Sequence, residues 1–159
     1  MGIEIERKFL VDRLPSSLAH LTGVVIHQGY LIAAEGGVEL RIRQKQARFF
    51  QTIKAGEGLS RMEIEIELSE HQFRQLWPYT DGRRVIKTRY TLPVGNHTAE
   101  LDRFEDDLAG LVLVEVEFSS VDASRQFAPP DWFGADVTED SRYKNRQLAV
   151  HGIPGDETP

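Results

Sequence analysis

The chain has 159 residues, 40% of them hydrophobic and 28% charged, with a formal net charge of −6 and no cysteine. The apolar content suffices for one core, while the missing cysteines exclude a disulfide framework, a thiolate metal site and a cysteine nucleophile. The negative balance argues against a general nucleic-acid binder, and no stretch reaches transmembrane length, so we expect a cytoplasmic protein with neither nucleic-acid nor membrane partner.

Residues 2–11 alternate in character. Glu4, Glu6 and Lys8 fall on one side of a predicted strand, and Ile3, Ile5 and Phe9 on the other. Because the N-terminus reads as strand, no signal peptide is expected. Leu14 and Leu18 are spaced for a short helix that Ser16 could cap. Further strands are expected at 24–32, where Gln28 and Tyr30 share a face, at 38–45 after Gly36-Gly37, and at 48–54 after Gln46-Ala47. Ala55-Gly56-Glu57-Gly58 is glycine-rich but lacks the Gly-Lys-Ser/Thr ending of a P-loop.

A fifth strand is expected at 61–68. Ser69-Glu70 then opens a helix near 69–77 with Phe73, Leu76 and Trp77 as its apolar stripe, and Pro78 stops it. Strands at 83–92, 97–104 and 111–119 follow, separated by turn residues around Gly95-Asn96 and Asp106 to Gly110. Residues 121–127 and 141–150 read as helices, with Pro129-Pro130 between them as a break. We expect one domain over 1–152 and a flexible tail at 153–159.

The polar faces of these strands are unusual. Ordinary surface strands vary Thr, Ser, Gln and Lys and avoid like charges side by side. Here Glu39, Arg41 and Arg43 alternate with Leu40 and Ile42, and Glu63, Glu65 and Glu67 alternate with Ile64, Ile66 and Leu68. Lys87 and Arg89 share a phase, as do Glu100 and Asp102, and Glu115 and Glu117 flank Val116. Carboxylates crowded in this way repel one another unless a cation lies among them. The pattern predicts a mainly β (α+β) fold: an eight-stranded antiparallel barrel, charged inside, with an apolar exterior covered by a few helices including a C-terminal one. Oxygen ligands select Mg²⁺ or Mn²⁺, and Arg pairs two apart offer forks for phosphate oxygens. The histidines lack the spacing of a zinc site.

Glu4-Ile-Glu6-Arg-Lys8-Phe resembles the N-terminal signature of the CYTH superfamily, the triphosphate tunnel metalloenzymes. The resemblance continues through Gln28-Gly-Tyr30-Leu, Glu39-Leu-Arg41-Ile-Arg43, Thr52-Ile-Lys54, Ser60-Arg61-x-Glu63-x-Glu65, Lys87-Thr-Arg89-Tyr90, Glu100-Leu-Asp102 and Val114-Glu115-Val-Glu117-Phe118. It extends to Trp132-Phe-Gly134, Val137-Thr138-Glu139-Asp140 and Arg142-Tyr143-Lys144-Asn145, and so spans roughly residues 3–150.

That resemblance implies a tunnel binding a triphosphate and one or two divalent ions. It implies Glu4, Glu6, Glu115 and Glu117 as metal ligands, with Glu63, Glu65, Glu100 and Asp102 as further carboxylates that either ligate or pair with cations. Lys8, Arg41, Arg43, Lys54, Lys87 and Arg89 are implied as the triphosphate-binding cations. The chain looks most like the short bacterial branch, whose implied activity is hydrolysis of inorganic tripolyphosphate to pyrophosphate and orthophosphate, and in which Tyr30 and Lys54 look like a water-activating pair. Cations around Lys54 are expected to favour its neutral amine. The alternatives are a class IV type adenylate cyclase, a thiamine triphosphatase, or a non-catalytic polyphosphate or nucleotide sensor. A small-molecule triphosphate is the expected partner, and the chain is expected to be a monomer or homodimer.

Overall fold

Alternation at period two becomes nine strands in the computed structural model, which describes residues 5–33, 37–56 and 62–155. They are β1 (Ile5–Val11), β2 (Val24–Ala33), β3 (Val38–Lys45), β4 (Arg48–Ala55), β5 (Met62–Leu68), β6 (Arg84–Val94), β7 (His97–Phe104), β8 (Val112–Phe118) and β9 (Phe133–Asp136). The helices are α1 (Glu70–Leu76), α2 (Val121–Gln126) and α3 (Asn145–His151). Two compact units divide the chain: Met1–Val24 with Lys87–Ser141, and Val25–Ile86 with Arg142–Pro159.

In the first unit the strands run in the order β6-β7-β8-β1-β9, every pairing antiparallel. One face is apolar: Tyr90, Leu101, Val114 and Phe9 form one cross-strand row, and Leu92, Ala99 and Val116 lie in the next. Phe133, Phe127 and Leu18 pack on this face, with ring centroids 4.9 Å apart for Phe9 and Phe133 and 5.2 Å for Phe118 and Phe127. Arg7 ends the second row. Its guanidinium lies 4.9 Å from the centroid of the Phe9 ring and donates to Asp136 on β9 and to the Ser124 carbonyl on α2. The charge is thereby held while its stem covers the core edge.

In the second unit the order is β2-β3-β4-β5. Lys45 and Arg48 are paired across the two-residue turn Gln46-Ala47, with Gln46 at φ 56. The expected capping box opens α1, with Ser69 and Gln72 bonding reciprocally. Phe73 then packs on Ile42 and Phe49. This seven-residue helix covers only one end of the apolar sheet face, and Met62, Ile64 and Ile66 of β5 remain exposed. The expectation that other elements cover the apolar face therefore fails along β5.

Other differences have local causes. Among the described residues nine strands stand where eight were expected; the ladder of the first unit ends at β9 and that of the second at β5. The additional strand, Phe133–Asp136, is only four residues long and joins β1 with a register shift, which leaves too little alternation to read. The first helix is a 3-10 turn, Ser16–His20, preceded by Pro15 at φ −67 and without a side-chain cap, because five residues are too few to sustain an α-helix. The final helix starts at Asn145 after a separate 3-10 turn at Ser141–Tyr143.

Candidate active site

Each unit carries one face of polar rows, built by the register of its own ladder. In the first unit, Thr91, Glu100, Glu115 and Lys8 lie directly across one another on β6, β7, β8 and β1. Arg89 faces Asp102 in the neighbouring row, and Glu6 faces Glu117. Lys8 Nζ is 3.2 Å from Glu115, and Arg89 reaches Glu100 at 2.6 Å. Asp102, 5% exposed, is shared: Lys87 Nζ lies 2.9 Å away, and Arg89 donates to both carboxylate oxygens. Burial raises the Asp102 pKa, but the two cations outweigh it and hold the carboxyl below its ordinary value. For Lys87, burial dominates and the Arg89 charge adds to it, so the amine is drawn below its ordinary value despite Asp102. Two cations thus decide the direction at Asp102, whereas burial decides it at Lys87.

Two pairs of carboxylates face each other in register, Glu6 with Glu117 and Glu100 with Glu115. All four line an open cavity of about 470 Å³ together with His97 and Thr98. Like charges directly opposite destabilise a sheet; Lys8 and Arg89 offset the pair Glu100 and Glu115, and both pairs bring together carboxylate oxygens of the kind a hard cation takes. Among the described residues no three acidic or histidine side chains converge closely enough to cage one. Mg²⁺ asks less, since one or two carboxylates suffice when phosphate and water complete the shell. The donor set is therefore right in kind for a hard divalent ion. Glu4 lies outside the described residues.

In the second unit the rows are Tyr30, Arg41, Thr52 and Glu65; Gln28, Arg43, Phe50 and Glu67; and Ala33, Glu39, Lys54 and Glu63. Thr52 donates to Glu65 at 3.2 Å. Lys54 thus has a carboxylate in register on both neighbouring strands, Glu39 and Glu63. Arg41 Nε is buried and has no hydrogen-bond partner among the described residues. A buried guanidinium donor without an acceptor is costly unless an anion fills the place.

Tyr30 is held by its backbone at a bulge. Its register partner is Arg41, yet Ile32 pairs with Leu40, so Leu31 is the extra residue. Bulges re-aim side chains beside active sites. Tyr30 N–H donates to the Arg83 carbonyl at 3.0 Å, and Arg83 Nε donates back to the Tyr30 carbonyl at 2.9 Å. The side chain is 1% exposed, and its hydroxyl lies 2.7 Å from Gln28 Nε2. Burial, followed by the charge of Glu39, pushes the phenol up to about 12. Tyr30 therefore keeps its proton at working pH.

Several supporting residues are not evident from strand alternation. Arg83 lies next to a turn, and its bond to Tyr30 spans more than fifty positions in sequence. Thr138 accepts from the Lys8 N–H at 3.0 Å and is itself bonded to Asp136, so it holds β1 at Lys8. Gln28 was legible as a residue sharing the Tyr30 face and as part of the Gln28-Gly-Tyr30-Leu motif, but not as a partner of the Tyr30 hydroxyl.

The chain is thus a nine-stranded antiparallel β protein whose polar faces interleave cations with facing carboxylates. The sequence matches the CYTH domain over residues 2–128. The chain belongs to that family. It is 52% identical over 149 residues to an inorganic triphosphatase of Nitrosomonas europaea, covering 92% of this chain and 97% of that protein. It is 36% identical over 151 residues to an inorganic triphosphatase of Acetivibrio thermocellus, covering 93% and 94%. The crystal structure of an inorganic triphosphatase superposes with a TM-score of 0.81 at 48% identity, covering 98% of this chain and 99% of that one.

Proposed function

We propose that this protein is an inorganic triphosphatase that uses a divalent cation to hydrolyse tripolyphosphate to pyrophosphate and orthophosphate. The observation that carries the reading is Arg41, whose buried Nε donor lacks a partner on a face that also bears Arg43 and Lys54. Such a donor calls for an anion with several oxygens. Two inorganic triphosphatases aligned along more than nine-tenths of the chain support a triphosphate as that anion.

In this reading Glu4, Glu6, Glu115 and Glu117 hold Mg²⁺ or Mn²⁺, while Glu63, Glu65, Glu100 and Asp102 either ligate or pair with cations, as Asp102 does with Lys87 and Arg89. When bound, the ion neutralises charge that develops on the phosphoryl oxygens. Lys8, Arg41 and Arg43 take phosphate oxygens. Lys87 and Arg89, already anchored by Asp102, act on the substrate as fixed positive charge.

Water attacks the terminal phosphorus. A P–O bond forms to it as the bridging P–O bond breaks, and pyrophosphate leaves with the bonding pair. Lys54 in its neutral form accepts the proton released by the water, and the Tyr30 hydroxyl donates a hydrogen bond within the reacting group. The net charge of −6 and a compact, densely charged substrate support action on a small molecule in the cytoplasm rather than on nucleic acid. Among the described residues no helix is long and apolar enough to cross a membrane.

The test is phosphate release from tripolyphosphate, ATP and thiamine triphosphate with Mg²⁺ or Mn²⁺, beside a cyclic AMP assay. Tripolyphosphate is expected to give the highest kcat/KM. Faster formation of cyclic AMP from ATP, or no metal-dependent turnover of any triphosphate, overturns the reading.

A further inference from the structure

Tyr30 and Gln28 are among the most completely buried polar side chains, each 1% exposed, and they lie two residues apart on one face of β2. No solvent competes at that depth, so the inventory of donors and acceptors decides where each proton points. Gln28 Nε2 lies 2.7 Å from the Tyr30 oxygen. An amide nitrogen donates and cannot accept, so the phenol oxygen must be the acceptor in this bond. Arg41, in register across the ladder from Tyr30, is also donor only. The Tyr30 proton therefore cannot be spent on either neighbour. It is left for an acceptor: the Glu39 carboxylate, a phosphate oxygen, or the neutral amine of Lys54.

We propose that Gln28 is a positioning residue that fixes the polarity of Tyr30, forcing its hydroxyl to donate towards the reacting group rather than back along its own strand. The proposal rests on the assignment of Tyr30 to the catalytic machinery made above. The raised phenol pKa agrees with it, because a group that stays protonated can act only through the direction of its proton. Gly29 and Arg83 hold the backbone of this segment, whereas Gln28 controls a single hydrogen atom. A role in packing alone would require only its volume.

The two accounts separate on Gln28→Glu, which keeps shape but replaces a donor by an acceptor, and on Gln28→Met, which keeps length and offers neither. Steady-state kinetics with tripolyphosphate are measured for both, in the wild-type and Tyr30→Phe backgrounds. Gln28→Glu is expected to lower kcat by about tenfold or more with little change in KM, because the lost interaction belongs to the transition state. Gln28→Met is expected to lose less. In the Tyr30→Phe background neither substitution should lower kcat further, since there is no proton left to direct. Equal losses in both backgrounds, or a wild-type kcat for Gln28→Glu, overturn the proposal. A Tyr30→Phe variant at full rate removes Tyr30 from catalysis and the proposal with it, while tripolyphosphate turnover by that variant leaves the triphosphatase reading intact. A readout independent of turnover is the ¹⁵N–¹H spectrum of the side-chain amides. The Gln28 Nε2 resonances are expected to be protected from exchange and to move on Tyr30→Phe, and unperturbed resonances overturn the bond itself.

Discussion

Lys87 Nζ lies 2.9 Å from the Asp102 carboxylate, and both side chains are closed off from solvent. A buried charge without its partner is far more costly than a missing pair. Asp102→Asn is therefore expected to destabilise the protein by about 3–5 kcal/mol, while the double variant Asp102→Asn, Lys87→Met recovers part of that loss, Arg89 still lacking its two bonds to Asp102. Urea midpoints for the two variants check this. The acid limb follows from the same group. Its native pKa is below its unfolded value, so its contribution is complete above the unfolded value and is lost as pH falls through the native one. Asp102→Asn should flatten the acid fall in stability, and an unchanged acid limb would assign it to other carboxylates.

Glu6 lies opposite Glu117, and the pair carries a prediction about metal. Added Mg²⁺ or Mn²⁺ should raise the melting temperature of the wild type more than that of Glu6→Gln, and equal shifts would count against Glu6 as a ligand. Turnover should fall by at least an order of magnitude. Full turnover by a Glu4→Ala, Glu6→Ala double variant in clean buffer would sink the metal assignment.

Strand alternation made β1 to β8 legible, because period two is strong wherever charged and branched residues take turns, as in Glu63 to Leu68. It also showed which residues share a face, but not what meets what. That Glu63 and Glu39 flank Lys54, and that Asp102 divides itself between Lys87 and Arg89, are properties of register, set by hairpins and bulges rather than by spacing within one strand. The extra residue at Leu31 illustrates the limit. It breaks the simple count between Tyr30 and Ile32, and nothing in the segment Gly29 to Ile32 marks it. The bonds that Arg83 and Thr138 make were out of reach for a different reason. Each acts on a strand distant in sequence through a backbone atom, and such bonds leave no periodic trace.

The pH profile distinguishes Tyr30 from Lys54. With its ionisation pushed up to about 12, Tyr30 cannot account for any rise in rate across working pH. Tyr30→Phe is expected to lower kcat without changing the shape of the profile. Lys54→Arg keeps a cation but loses a base, and should cost on the order of 10²-fold and abolish an alkaline rise. Near-normal rates for Lys54→Arg with an unchanged profile would make Lys54 a phosphate clamp. Stability gives an independent check on Tyr30. Its native pKa lies above the unfolded value of about 10, so the native state binds the proton more tightly and stability falls as pH rises from about 10 towards 12. Tyr30→Phe should show a shallower fall over that window.

Gly29 precedes Tyr30 at the point where the turn Trp77–Thr80 packs on β2. A Cβ added there would lie 2.6 Å from Thr80 Cβ, and Thr80 is fully buried, with its hydroxyl bonded to the Trp77 carbonyl at 2.7 Å. Arg84 adds to the lock, donating to Thr80 Oγ1 at 2.9 Å and to the Trp77 carbonyl at 2.8 Å. The turn cannot yield, so the added methyl must move β2. Gly29→Ala is expected to cost about 1–3 kcal/mol of stability through overpacking. It should also lower kcat, because the displaced segment carries the Tyr30 backbone that Arg83 holds. Thr80→Gly in the same chain removes the obstructing atoms and should restore part of kcat even though it sacrifices the hydroxyl bond. A Gly29→Ala enzyme that loses stability but keeps its kcat would show that the Tyr30 hydroxyl tolerates movement of its strand, and a double variant no faster than the single one would place the damage elsewhere than at Thr80.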